Sequence, residues 1–143
     1  MKIRGYLEES PIFHSIGIYD RIHGKASEKL KAHQLSVLQS LVLIALFFED
    51  RSRATPSQLA DVFETSRATM SQNLNHLVGK RLLRRDLNPD DSRSYVITLS
   101  PEGKKKAVQL IRLFDSWQSS FERQVGTSEL KRAIGAWMRL SLG

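Results

Sequence analysis

The chain has 143 residues, 41% of them apolar, and a formal net charge of +7 at pH 7. That length and apolar content suit one globular domain with a real core and exclude a disordered polyelectrolyte. The charge favours an anionic partner, nucleic acid before a membrane surface, and the absence of cysteine removes disulfides, thiolate nucleophiles, zinc–cysteine sites and thiol redox sensing.

The first fifteen residues, "MKIRGYLEESPIFHS", scatter charges and contain no signal-peptide core. A first helix is predicted over 12–30, where Ile12, Ile16 and Tyr19 recur at i, i+4 and i+7. His23 interrupts that stripe, and Gly17 and Gly24 each weaken a helix by roughly 1 kcal/mol relative to alanine, which makes Gly24 the place for a break. Residues 34–49 predict a second helix, apolar over most of its circumference and therefore buried, centrally or under a partner. Its "LVLIALFF" run is too short to span a bilayer. A cytoplasmic protein with no membrane partner is the expectation.

"TPSQLADVF" opens a third helix with Thr55 as cap, Pro56 at the first helical position and Gln58 completing a capping box. "TSRATMSQNLNHLV" follows after a short break. Met70, Leu74 and Leu77 fall on one face, leaving Arg67, Ser71, Gln72, Asn75 and His76 around the other. "LLRRDLN" reads as a strand, Asn88-Pro89-Asp90-Asp91 as a turn, and "SYVITL" as a returning strand. Ser100-Pro101-Glu102 then starts a long helix carrying Leu110, Phe114, Trp117 and Phe121. A last helix over 128–142 carries Leu130, Ile134, Trp137, Met138 and Leu140. The fold class is mainly α with a small β wing: two short helices and a hairpin form a winged helix-turn-helix within a single domain, 1–143.

The stretch from Pro56 to Gly103 resembles the MarR (multiple antibiotic resistance regulator) family of winged-helix transcription factors. The resemblance is carried by "TSRATMSQ" opening the recognition helix, by Asp91-Ser92-Arg93 in the wing, and by "ITLSPEG" leading into the long helix. It implies a DNA-binding winged helix-turn-helix over 50–100 and a helical dimerisation region from 1–49 and 101–143. The implied function is that of a homodimeric regulator, a repressor in type, reading a pseudo-palindrome with half-sites about 10 base pairs apart. Family members often bind small aromatic acids between the dimerisation region and the winged helix, so a small aromatic or anionic effector is an implied partner, although its residues do not carry over one by one. Two positions depart from the family pattern, which usually has glycine where Glu64 and Arg81 stand. At Arg81 the chain must hold a left-handed backbone, or the helix must end differently. At Glu64 an acid near the phosphate backbone would weaken binding unless it points away or pairs with Arg67.

The recognition helix, 66–80, would lie in the major groove. There Arg67 could fork onto guanine and Gln72 could read adenine, with Ser71 and His76 on the same face. Thr55, Ser66 and Thr69 carry hydroxyls suited to phosphate oxygens, a role compatible with simple helix capping. Arg93, with Ser94 beside it, is placed to enter the adjacent minor groove. Arg84 and Arg85 could contact phosphates. The resemblance makes Asp91 a brace that holds the wing or aims the arginine. Lys104, Lys105 and Lys106 oppose the dipole of the helix they begin, so they serve either phosphate or solubility.

His14, His23, His33 and His76 lack metal-ligand spacing, so neither metal nor cofactor is expected. The stripe of Phe114, Trp117 and Phe121 reads as dimer core ahead of a ligand box. No nucleophile elbow, phosphate loop, zinc motif or carboxylate pair suggests an enzyme. The competing reading is a winged-helix protein-interaction module or antagonist that has lost specific DNA binding, with Glu64 and Arg81 as the marks of that loss.

Overall fold

The computed structural model describes residues 2–140; Met1 and residues 141–143, including the tail of the predicted last helix, lie outside the described residues. The chain begins with a helix the sequence reading lacked, α1 (Lys2–Glu9). It stops at Ser10, whose hydroxyl caps α2 (Pro11–Leu30) by accepting from the Phe13 amide. Pro11 takes the first helical position, where its missing N–H costs nothing. The break expected near Gly24 does not occur: α2 runs through it and buries Ala26 and Leu30 at its far end. Tertiary burial there outweighs the intrinsic cost of two glycines.

The second predicted helix starts three residues late. Residues Lys31–His33 form a 3-10 turn, Gln34 takes a left-handed backbone (φ 54°), and α3 (Val37–Phe48) begins only after Ser36. Ser36 and Gln39 form a full capping box, so the hydroxyl fixes the start. Val42, Leu43 and Leu46 are fully buried, as the apolar run demands.

A two-residue strand, β1 (Arg53–Ala54), precedes α4 (Pro56–Val62) and α5 (Arg67–Gly79). The hairpin comprises β2 (Leu83–Asn88) and β3 (Asp91–Leu99), and the antiparallel sheet is ordered β1-β3-β2. Asp91, predicted as turn, is instead the first residue of β3, paired with Asn88, so the turn itself is only Pro89-Asp90. α6 (Pro101–Val125) and α7 (Thr127–Met138) complete the chain, separated by Gly126 at φ 96°. The core joins Leu30, Leu43 and Leu46 to Met70, Leu74 and Leu77 of α5, Leu83, Ile97 and Leu99 of the sheet, and Leu110 of α6.

Both short helices end in the same way. The Thr65 amide donates to the Ala60 carbonyl and the Glu64 amide to Asp61, with Glu64 at φ 48°. At the end of α5 the Leu82 amide donates to Leu77 and the Arg81 amide to Val78, with Arg81 at φ 61°. These are Schellman closures with non-glycine residues at the left-handed position. Glu64 and Arg81 bear the strained backbone, and the helices do not end differently.

Candidate nucleic-acid interface

α5 is seated by Met70, Leu74 and Leu77, all wholly buried. The opposite face follows from helical spacing: Arg67, Gln72, Asn75 and His76 are exposed and Ser71 is half-buried. Ser66 caps the helix, its hydroxyl accepting from the Thr69 amide at 3.0 Å and donating to the Thr69 hydroxyl at 2.8 Å. Thr55 likewise accepts from the Gln58 amide at 3.2 Å, while the Gln58 side chain returns a bond from the Thr55 amide at 2.9 Å. Thr55 and Ser66 therefore cap, and the Thr69 hydroxyl accepts from the Ser66 cap, all at N-terminal ends where helix dipoles attract anions.

The elements converge on a cleft of about 390 Å³ between the start of α4, the first turns of α5 and the wing. It is lined by Thr55, Pro56, Ser57, Arg67, Ser71, Arg93, Ser94 and Tyr95. Five of the residues singled out from sequence meet here: Thr55, Arg67, Ser71, Arg93 and Ser94. Four ion pairs occur among the described residues, and none involves Arg67, Arg84 or Arg93. Glu64 is exposed and takes no part in them either.

The wing answers how an arginine is presented beside two acids. Register runs from Leu83↔Leu99 to Leu87↔Tyr95, then shifts to Asn88↔Asp91. Ser92, Arg93 and Ser94 thus lie in a bulged stretch of β3, a device that bends a strand and re-aims its side chains. One Asp91 carboxylate oxygen accepts from the Arg93 amide at 3.0 Å. The acid grips the backbone of Arg93, and the guanidinium makes no ion pair among the described residues. Ser94 is bound inward: its hydroxyl accepts from the Asn88 side-chain amide at 2.9 Å and donates to the Asp91 carbonyl at 3.3 Å.

Arg84 and Arg85 separate. Arg85 donates to the Asn75 side chain and lies 5.0 Å over the Tyr95 ring, so it ties the wing to the recognition helix. Arg84 is exposed with no such tie. Asn75 and Tyr95 were missed as site residues; the adjacent arginines in "LLRRD" point to opposite faces of a strand, which pairing alone reveals. Of the three lysines opening α6, Lys105 pairs with Glu102 at 3.5 Å and Lys106 approaches His33 Nδ1 at 3.4 Å, leaving Lys104 exposed. Burial, and secondly the charge of Lys106, hold the His33 imidazole pKa below its ordinary value.

Along α6, the Trp117 ring lies between Phe114 (centroids 6.4 Å) and Phe121 (5.2 Å), with Lys29 Nζ 5.5 Å over it. All three aromatics remain half-buried in the single chain. No set of three or more His, Asp or Glu side chains among the described residues could hold a metal ion. No single helix among them is long and apolar enough to cross a membrane.

Comparison with known proteins bears on this geometry. Residues 33–94 match the MarR family model, a span running from the 3-10 turn before α3 to the bulged arginine. This segment belongs to the MarR family. No curated protein matches the chain. Among solved structures, a Staphylococcus aureus MepR–DNA complex is similar at TM-score 0.83 and 21% identity, covering 91% of this chain and 95% of that one. Bordetella bronchiseptica BpsR, described as regulated in DNA binding by 6-hydroxynicotinic acid, is similar at 0.82 and 18% identity, covering 94% and 95%. AbsC of Streptomyces coelicolor, a MarR family transcriptional regulator, is similar at 0.79 and 17% identity, covering 86% and 84%. At these identities the likeness establishes a shared winged-helix fold over nearly the whole chain.

Proposed function

We propose that this MarR-type chain is a homodimeric, sequence-specific DNA-binding transcriptional regulator, a repressor in mode of action. The observation that carries the reading is the cleft where Thr55, Arg67, Ser71, Arg93 and Ser94 meet, cationic and free of internal ion pairs. Two helix N-termini and a wing arginine face one space, which suits a phosphate backbone with a major groove on one side and a minor groove on the other. Arg67, Gln72 and His76 read bases, and each good bidentate contact contributes roughly 1–3 kcal/mol of discrimination. Thr55, Ser66, Thr69, Ser71 and Arg84 contact phosphate, and Arg93 enters the minor groove with its backbone held by Asp91. The likeness to the MepR–DNA complex supports this docking.

The homodimer rests on a second observation. Ile12, Ile16 and Tyr19, the stripe that defined the first predicted helix, are 70%, 53% and 65% exposed in the single chain. Ile134, Trp137 and Met138 of α7 are exposed too. Apolar surface on this scale needs a cover, and a second copy supplies one with two-fold symmetry. The likeness to BpsR supports a small aromatic acid as effector. The rival interaction-module reading is weakened, because Glu64 and Arg81 keep the left-handed turns on which it had cast doubt.

Selection from a randomised duplex pool, followed by a salt series on the enriched site, tests the regulator reading. A palindromic site bound with steep inverse salt dependence and weakened at least tenfold by Arg67→Ala and by Arg93→Ala is expected. Binding without enrichment, indifferent to both substitutions, would overturn it.

A further inference from the structure

The end of the recognition helix and the start of α6 share one buried oxygen. Ser100, 6% exposed, donates its hydroxyl to the Arg81 carbonyl at 2.7 Å. The same oxygen accepts from the Gly103 amide at 2.9 Å, which makes it the N-cap of α6. The Ser100 amide donates to the Leu82 carbonyl at 3.1 Å. Both carbonyls belong to the left-handed turn that closes α5, and Gly103 packs against that turn so tightly that a Cβ there would meet the Leu82 oxygen at 1.9 Å. Capping alone needs only the bond to Gly103. The two bonds to Arg81 and Leu82 do something else: they fasten one helix to another at main-chain carbonyls, one bond from the Ser100 hydroxyl and one from its amide.

We propose that Ser100 is a positioning residue that sets the separation of the two recognition helices in the dimer. The inference rests on the homodimeric regulator reading. α6 has 25 residues, about 37 Å at 1.5 Å per residue, and it runs from this clamp into the aromatic stripe and the apolar α7 face assigned to dimerisation. A rigid rod clamped at the α5 end converts the geometry of the dimer interface into a fixed place for each recognition helix. Without the hydroxyl, α5 keeps its apolar seat on Met70, Leu74 and Leu77, and the Ser100 amide keeps its bond to Leu82. The bond to the Arg81 carbonyl is lost, and the clamp is left on a single hydrogen bond about which the rod can pivot. Arg85 and its bond to Asn75 hold α5 to the wing and not to α6, so they do not substitute.

The chain has no cysteine, so His76→Cys on the exposed face of α5 allows one spin label per copy and one distance per dimer. The distance distribution, read by pulsed dipolar spectroscopy on the full chain without DNA, is expected to be narrow for Ser100. It is expected to broaden at least twofold for Ser100→Ala and to narrow again for Ser100→Thr. Ser100→Gly serves where the alanine variant fails to fold, since glycine is tolerated at N-caps. A thermal melt run alongside separates positioning from mere support: lowered stability with an unmoved distribution overturns the proposal. No dipolar distance in the Ser100 background overturns the homodimer reading itself and the positioning role with it. A narrow distance indifferent to all three substitutions overturns the positioning role alone.

Discussion

Arg81 carries its side chain at a backbone angle that L-residues adopt at a cost of roughly 1–2 kcal/mol. The side chain is exposed and makes no ion pair among the described residues, so nothing visible offsets that cost. Arg81→Gly is therefore expected to stabilise the fold by about 1 kcal/mol, read as a raised melting temperature with the enriched DNA site unchanged; an unaltered or lowered melt would refute the strain argument. The adjacent arginines of β2 give a second contrast. Arg84→Ala should reduce the slope of log affinity against log salt by about one, the signature of one lost phosphate contact. Arg85→Ala should leave that slope alone and loosen the wing, seen as faster amide exchange over β2 and β3, because Arg85 is bound to Asn75 and Tyr95. Equal slopes for the two variants with equal exchange would remove the distinction.

Gly103 shows what an element can demand of one position. Its missing Cβ is where the Leu82 carbonyl lies, and backbone cannot rotate away as a side chain can. Gly103→Ala should destabilise by about 3 kcal/mol, the upper part of the usual overpacking range, in a chemical denaturation curve. A loss below about 1 kcal/mol would mean α6 shifts freely against the α5 turn. The same elements show how far sequence reading reached. The capping residues Thr55, Ser66 and Ser100 were legible because a cap is a local bond between neighbours in the chain, and the boundaries they set hold. Met70, Leu74 and Leu77 were legible from period alone. The 3-10 turn before α3 and the unbroken α2 were not, since both depend on packing at Leu30 and Leu35 that no local pattern encodes. Arg67 and Arg93 stood out by type and position, whereas the commitment of Arg85 to Asn75 needed a cross-element contact ten residues away.

On the scale of the molecule, the single chain is two surfaces of different character. One is cationic and built around the α4–α5–wing cleft; the other is the apolar skin of α1, α2 and α7. Ile16→Glu places a charge in that skin at a residue already half-exposed, so the monomer should fold normally while the dimer dissociates. Sedimentation at micromolar concentration checks this, with a circular-dichroism spectrum to show that helix content survives; an intact dimer would move the interface elsewhere.

The division of α5 into a wholly buried seat and an exposed opposite face has a consequence for descent and for design. Met70, Leu74 and Leu77 hold the helix in place, and the residues that face outward, Arg67, Gln72 and His76, contribute nothing to that hold. An address proposed for that outward face can thus be rewritten one letter at a time while the mounting stays intact. Under the proposed base-reading roles, target preference and structural integrity are inherited on separate positions of the same thirteen-residue segment, and retargeting the protein starts from three side chains, not from rebuilding a domain.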